Sequence, residues 1–186
     1  LKVSKQDKRI LTPEEVIKAL QAARKYSRDM HLFVSLGLFT GARVGEILAM
    51  KWEWIDFEHK VVNIKDGKTF RTKSGRSRTV PMCAMLESIL RRYKKDHGFI
   101  IETYRHNPHR QFKAAMLAAG ITGLSPHSMR HTFISLCANA GIPALKIKTW
   151  AGHSSIQTTE GYMHAQNGFD ADIDRLGDNA GHGTSR

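Results

Sequence analysis

Residues 125–141 read S-P-H-S-M-R-H-T-F-I-S-L-C-A-N-A-G, and they predict the helix around which this chain is organised. Pro126 suits the first turn of a helix, and neither proline nor glycine follows before Gly141, so we predict a helix over residues 126–140. On a helical wheel the apolar residues gather on one side, which predicts that this side is buried. They are Met129, Phe133, Ile134, Leu136, Cys137 and Ala140.

Arg130 falls within that apolar side, and His127 lies at its edge one turn earlier. A charge on the buried side of a helix requires a partner, because an unpaired charge there is costly. The helix carries no carboxylate, so we predict that the partner is a distant acidic residue or a bound anion. Downstream, His153 and Tyr162 add an imidazole and a phenol. Together these groups predict an anion-binding site with a nucleophile.

The composition favours a polyanionic partner. The chain has 186 residues, with 29 Lys and Arg against 17 Asp and Glu, which gives a formal net charge of +12. Such an excess favours nucleic acid or an anionic membrane surface, and no apolar run of about 18 residues predicts a membrane span. Two cysteines, Cys83 and Cys137, are too few for a disulfide framework and lack metal-ligand spacing. We therefore interpret Cys137 as a small buried apolar residue in a reducing compartment.

Apolar periodicity and turn residues predict a mainly α-helical fold with a small antiparallel β-sheet (α+β). T-P-E-E at residues 12–15 predicts a capping box that opens the first helix. The further predicted helices cover residues 31–40, 43–50, 82–95, 108–119, 144–150 and 157–164. Extended runs are predicted at residues 52–57 and 61–64, with a third strand after the turn signal Ser74-Gly75.

The most basic window spans residues 65–78, and it predicts a hairpin that meets DNA. Its cations are Lys65, Lys68, Arg71, Lys73, Arg76 and Arg78, opposed only by Asp66. The alternative interpretation is a solvated basic hairpin, which is common. The sharp K-S-G-R tip favours the functional interpretation, because it would hold Lys73 and Arg76 away from the sheet.

Four motifs carry a resemblance to a known family. They are T-G-A-R-V-G-E-I-L at residues 40–48, T-K-S-G-R-S-R-T-V-P at 72–81, H-S-M-R-H at 127–131, and A-G-H-S-S followed by T-T-E-G-Y-M-H at 151–164. Each motif alone is weak, but their order and spacing resemble the catalytic domain of the tyrosine recombinase (phage integrase) family. The resemblance covers about residues 12 to 165.

The resemblance implies the DNA breaking-rejoining catalytic-domain fold and a site-specific recombinase or integrase. Such an enzyme cuts and rejoins double-stranded DNA through a 3′-phosphotyrosine intermediate. It implies neither a metal nor a cofactor, and no membrane partner. It also implies a homo-tetramer on DNA, and leaves open whether the protein is a monomer without DNA. It also implies a cytoplasmic, nucleoid-associated protein of prokaryotic or phage-borne origin, with weak features favouring a mobile element.

The chemistry of phosphodiester exchange suits these residue types. Two guanidiniums, Arg43 and Arg130, can bind non-bridging phosphate oxygens in a bidentate manner and stabilise the charge that develops there. Arg43 also opens a predicted helix, whose N–H groups favour an anion. Glu46 could orient a basic group in the site. The alternative for Arg43 is a surface ion pair with Glu46, one turn away.

Tyr162 is the predicted nucleophile, which nearby cations would help to ionise. The resemblance assigns Lys73 as the general acid for the leaving 5′ oxygen, His127 to acid/base work near the tyrosine, and His153 to a phosphate oxygen. The alternative for His127 is a zinc site with His131, four residues on, but no third ligand is evident beyond His153. His131 more plainly suits packing in the core.

Further predictions concern DNA contacts and chain organisation. The predicted DNA-binding residues are Lys65, Lys68, Arg71, Arg76, Arg78, Arg110 and Lys113. We expect residues 1–11 to be the linker from an N-terminal core-binding domain, 12–166 the catalytic domain, and 167–186 a tail that one protomer docks on the next, with Phe169, Ile173 and Leu176 as its apolar residues. Without the N-terminal domain we expect weaker DNA affinity. Ala151 stands where the family more usually has leucine or methionine, which predicts slightly looser packing. Gly161 directly precedes Tyr162 and predicts a looser segment around the nucleophile.

Two rival functions share parts of this pattern. A type IB topoisomerase-like DNA-relaxing enzyme shares the chemistry, and a non-catalytic DNA-binding regulator shares the basic surface. The first would relax supercoiled DNA without paired recognition sites. The second would bind DNA without forming a covalent adduct.

Overall fold

A computed structural model describes residues 9–66, 77–103 and 107–152 of the chain. Within these ranges the chain forms seven α-helices and one three-stranded sheet. In chain order the elements are α1 (Pro13–Tyr26), α2 (Arg28–Thr40), α3 (Val44–Ala49), a 3-10 turn (Trp52–Trp54), β1 (Ile55–Asp56), β2 (Val61–Ile64), β3 (Arg78–Pro81), α4 (Ala84–Tyr93), α5 (Pro108–Ala118), α6 (Pro126–Asn139) and α7 (Ala144–Ala151). None of the described helices is long and apolar enough to cross a membrane. The predicted fold class is confirmed.

The first two helices begin at side-chain caps. At α1 the Thr12 hydroxyl accepts from the Glu15 N–H at 3.3 Å, and the Glu15 carboxylate accepts from the Thr12 N–H at 3.0 Å, which confirms the predicted capping box. Ser27 then ends α1 and caps α2, where its hydroxyl accepts from the Met30 N–H. The second helix therefore begins three residues before the predicted position 31.

Helix α2 is the centre of the domain. Every residue from Asp29 to Thr40 is buried. Gly37 lets α6 approach closely, because a Cβ atom there would lie 2.6 Å from Cε of Met129. Gly41 ends the helix with a left-handed φ of 62°, and a Cβ atom there would lie 2.4 Å from the Phe133 ring. These two contacts set the position of α6 against the end of α2.

The strands form an antiparallel sheet in the order β1-β2-β3. Val62 pairs with both Ile55 and Val80, and Ile64 pairs with Arg78. The strand predicted over residues 52–57 is shorter than expected, because Trp54 N–H bonds to the Lys51 carbonyl and closes a 3-10 turn. Only Ile55 and Asp56 remain extended.

Leu11, the last residue of the predicted linker, is 2% exposed, and its N–H donates to the Thr132 hydroxyl of α6 at 3.0 Å. Residues 9–11 therefore pack on the domain. Helix α4 is shorter than predicted, covering residues 84–93. The predicted helix at 157–164 and the tail from 167 lie outside the described residues.

Candidate active site

The buried arginine of α6 meets the turn that joins α2 to α3. Arg130 is 3% exposed, and its Nη1 donates to the Gly41 carbonyl at 2.6 Å. The sequence predicted an acid or an anion as partner, whereas the bond shown here is to a neutral backbone oxygen. The acceptor, Gly41, lies two residues before Arg43 in the sequence. Arg130 thus contacts the turn that leads into Arg43 and α3.

Arg43 is anchored through its backbone and through its side chain. Its backbone N–H donates to Oε2 of Glu46 at 2.8 Å, and its side-chain Nη1 donates to Oε1 of the same carboxylate at 3.2 Å. Its Nη2 donates to the Gly152 carbonyl at 3.2 Å. The alternative of pairing with Glu46 is thus realised, but together with a contact to the segment that leads into His153. The side chain stays 24% exposed and therefore accessible to a ligand.

The helix that Arg43 opens is short, and the N–H of its N-cap residue already has a partner. Helix α3 has six residues, and the N–H of Arg43 is occupied by Glu46. Any anion at this position would compete with a carboxylate that is already hydrogen-bonded. The contribution of the helix N-terminus stays a prediction, and the Arg43 guanidinium, 24% exposed, is the donor group accessible to a ligand.

The structure also corrects the prediction for Arg78. Arg78 was predicted to contact DNA, but it is 8% exposed and all three of its guanidinium nitrogens donate to protein acceptors. Its Nη1 and Nη2 bind the two carboxylate oxygens of Glu46 at 3.0 and 2.6 Å, and its Nε donates to the Trp150 carbonyl at 2.7 Å. The reason is strand alternation, since Arg78 lies on the same side of β3 as the buried Val80.

Arg43, Glu46 and Arg78 together form what we call the Glu46 cluster. Burial alone would raise the pKa of the Glu46 carboxyl, but hydrogen bonds and positive charge from Arg78 and Arg43 outweigh it and hold that pKa below its ordinary value. The carboxylate is therefore ionised at neutral pH. Two guanidiniums share this single carboxylate, so the cluster carries one net positive charge.

The end of α7 is held against this cluster. Gly152 ends the helix with a left-handed φ of 67°, and a Cβ atom there would lie 3.0 Å from Nη1 of Arg78. The carbonyls of Trp150 and Gly152 accept from Arg78 and Arg43 respectively. Ala151, whose small side chain was predicted to loosen the packing here, is fully buried in the core. The residue that follows Gly152 in sequence is His153.

His127 lies in the first turn of α6, three residues before Arg130, and is exposed. Its ring meets the ring of His131 edge-on, with centroids 5.2 Å apart and an interplanar angle of 79°. In the described ranges no group of three His, Cys, Asp or Glu residues could hold a metal ion. His127 is thus at the surface, three residues before the buried Arg130 on the same helix.

Several predicted residues lie outside the described part of the chain: Lys68, Arg71, Lys73, Arg76, His153 and Tyr162. Among the described candidates for DNA contact, Lys65, Arg110 and Lys113 are exposed. Sequence reasoning missed the carbonyls of Gly41, Trp150 and Gly152 as anchors. It also missed the inward direction of Arg78, although the alternation of Arg78 and Val80 carried that signal.

Comparison with known proteins gives a consistent result. The family model for the phage integrase family matches residues 9–168. A tyrosine recombinase XerA from Saccharolobus solfataricus is 30% identical over 166 residues, which cover 88% of this chain and 54% of that protein. The chain thus spans about half the length of that relative.

Solved structures agree on the fold. The catalytic domain of bacteriophage HP1 integrase superposes with a TM-score of 0.67 at 26% identity, covering 92% of this chain and 94% of that one. The Tn1549 transposon integrase, solved in complex with transposon right end DNA, gives a TM-score of 0.70 at 22% identity, covering 97% of this chain and 68% of that one.

Proposed function

The chain belongs to the phage integrase family, and on that premise we propose that it is the catalytic part of a site-specific DNA recombinase, which cuts and rejoins DNA through a 3′-phosphotyrosine linkage. The observation that supports the proposal is that Arg130 of α6 binds the Gly41 carbonyl, two residues before Arg43, in the turn that follows α2. These residues come from segments 87 positions apart in number (130 − 43). An ion pair between Arg43 and Glu46 that only supported the fold would not require Arg130 at this turn.

The proposed role of the two guanidiniums follows from their charge and shape. Attack on a phosphodiester increases the negative charge on its non-bridging oxygens, and a planar guanidinium can bind two such oxygens while it stays protonated. A donor fixed in advance at that position can contribute a few kcal/mol to the transition state. Arg130 is fixed by Gly41, and Arg43 by Glu46 and Gly152, so neither must be ordered when DNA binds.

The proposed reaction exchanges one ester for another. The oxygen of Tyr162 attacks phosphorus and forms a phosphotyrosine bond, and the bond from phosphorus to the 5′ oxygen breaks. Lys73 protonates that oxygen, and His127 accepts the phenolic proton. His153 would donate to a phosphate oxygen. Because a phosphodiester replaces a phosphodiester, the reverse reaction rejoins the strand, and we propose neither a nucleotide nor a metal as cofactor.

Double-stranded DNA is the proposed partner, which the net charge of +12 favours. The related Tn1549 integrase was solved with DNA bound. The proposed backbone contacts are Lys65, Lys68, Arg71, Arg76, Arg110 and Lys113. We further propose a homo-tetramer on DNA with the 167–186 tail docked between protomers, and a location with the chromosome in the cytoplasm.

Capture of a covalent adduct tests the proposal. The chain is incubated at low salt with nicked duplexes whose central sequence is randomised, because cleavage next to a nick releases a short oligonucleotide and prevents rejoining. Adducts that survive detergent are collected and the attached DNA is sequenced to give the target site. The intact chain should form adducts, Tyr162→Phe should form none, and Tyr26→Phe, the same change at an exposed tyrosine, should match the intact chain.

The same assay separates the rival functions. A non-catalytic DNA-binding protein would retain DNA only until detergent is added. A relaxing enzyme would form adducts of little sequence preference and would relax supercoiled plasmids that carry no paired sites. Adducts that persist in Tyr162→Phe would show that another residue is the nucleophile.

A further inference from the structure

The carboxylate of Glu46 is the most heavily hydrogen-bonded side chain of the described site. Its Oε1 accepts from Nη1 of Arg43 and Nη1 of Arg78, and its Oε2 accepts from the Arg43 N–H and Nη2 of Arg78. The side chain is 1% exposed, so water does not replace these donors. Any change in one arginine therefore alters how strongly the other is held.

The two arginines of the Glu46 cluster differ in what they can reach. The Arg78 side chain is 4% exposed and all three of its nitrogen groups bind protein acceptors. The Arg43 side chain is 24% exposed, and its bonds to Glu46 Oε1 and to Gly152 are both 3.2 Å long. Arg78 thus holds the carboxylate more closely, while Arg43 is the group that an incoming anion can contact.

We propose that Arg78 is a positioning residue that sets the charge available at Arg43: because Arg78 binds both oxygens of Glu46, the single carboxylate that also pairs with Arg43 does not fully neutralise that guanidinium, which stays able to bind phosphate. The proposal builds on the proposed function, in which Arg43 contacts the DNA phosphate. It assigns Arg78 a role without any contact to DNA, and it explains why a buried cation lies beneath this site.

The charge of the cluster predicts the direction of each effect. Arg43, Glu46 and Arg78 sum to +1 as found. Arg78→Met lowers the sum to 0, Glu46→Gln raises it to +2, and the double variant returns it to +1. A charge several ångströms from a partly buried anion changes its binding by about tenfold or more. Anion affinity should therefore follow the cluster charge and not the number of native contacts retained.

The test titrates inorganic phosphate into the chain and follows the side-chain Nε–H resonance of Arg43, which is assigned by its loss in Arg43→Lys. Relative to the intact chain, Arg78→Met should bind phosphate about tenfold more weakly and Glu46→Gln about tenfold more tightly. The double variant should lie within about threefold of the intact chain, because its cluster charge is again +1. Arg78→Lys, which keeps the charge, should do the same.

A merely structural role predicts a different order. If the cluster only supports the fold, Glu46→Gln would weaken phosphate binding, as would every other change, and the double variant would bind no better than Arg78→Met. Either result overturns the proposal, and so does equal affinity of Arg78→Met and the intact chain. Urea unfolding confirms that each variant is folded under the titration conditions.

Loss of one partner from a buried pair destabilises a protein, so the step from Glu46→Gln to the double variant provides a second comparison. It removes Arg78 without leaving a lone buried carboxylate, and it should weaken phosphate binding about tenfold. Unchanged affinity in this step also overturns the proposal. The adduct assay is independent of both, since absence of adducts with the intact chain refutes the proposed function and leaves the charge relation to be judged by phosphate alone.

Discussion

Replacing Gly41 by alanine should destabilise the domain and disturb the site together. Gly41 has a left-handed φ of 62°, its carbonyl holds Arg130, and a Cβ atom there would lie 2.4 Å from Cδ1 of Phe133. Carbon atoms in contact normally lie about 3.5 to 4.0 Å apart. The Phe133 ring, which is 5% exposed within the core, would therefore have to move by about 1 Å.

The magnitude has two parts. Holding alanine in the left-handed region costs about 1 to 2 kcal/mol. Forcing extra volume into a packed core costs about 1 to 3 kcal/mol more. The expected loss in the free energy of unfolding is thus about 2 to 5 kcal/mol.

Gly120→Ala is the matched control. Gly120 follows α5, has a φ of 69°, and a Cβ atom there would meet nothing within 4 Å. It should therefore lose only the backbone part, about 1 to 2 kcal/mol. Urea unfolding of both variants, with the denaturant slope compared to that of the intact chain, gives the difference directly. Losses equal to within about 0.5 kcal/mol would refute the claim that Phe133 closes against Gly41. Adduct formation by folded Gly41→Ala should also fall, while that of Gly120→Ala should not.

Two further predictions concern buried titratable groups. Burial and, after it, the charges of Arg24 and Arg92 lower the pKa of His31 to about 4, below its unfolded value of 6.5. As the pH falls, the unfolded chain therefore binds the proton first. The free energy of unfolding should be intact above pH 6.5 and should fall by about 2 kcal/mol between about pH 7 and about pH 5. His31→Gln should lack this part of the loss in urea unfolding, and an unchanged pH dependence would contradict the assignment. Burial raises the pKa of the Cys137 thiol to about 12, so a maleimide at neutral pH should modify half-buried Cys83 in the native protein and Cys137 only on unfolding. Equal labelling rates for the two thiols would contradict the burial of Cys137.

The starts of α1 and α6 were predictable because they are set by residues within the first turn, such as capping side chains and prolines. Thr12 and Pro13 mark the start of α1, and Pro126 that of α6, and both helices begin where these residues predicted. The apolar side of α6 likewise gave in advance the burial of its members from Met129 to Cys137, including that of Arg130. Ala140, predicted on the same side, is exposed because the helix ends at Asn139. Such signals act within a few residues, so a single sequence suffices to read them.

The partners of the site arginines could not be predicted in the same way. Every residue has a backbone carbonyl, so nothing in the sequence marks the carbonyls of Gly41 or Gly152 as acceptors for Arg130 and Arg43. The fate of Arg78 depended on which side of β3 faces inward, which strand pairing decides. A count of basic residues treats a buried arginine and a surface arginine alike, and for that reason it placed Arg78 on DNA.

The identity of the residue joined to DNA tests the central claim most directly. Tryptic digestion after adduct capture should release the peptide of residues 149–175, in which Tyr162 is the single tyrosine. After nuclease treatment, tandem mass spectrometry should find a nucleoside 3′-monophosphate on Tyr162 in the intact chain, and its yield should fall when Arg43 or Arg130 is replaced by alanine. A nucleotide on any other residue, or an undiminished yield without these arginines, would contradict an active site in which both guanidiniums and this phenol act on one DNA phosphate.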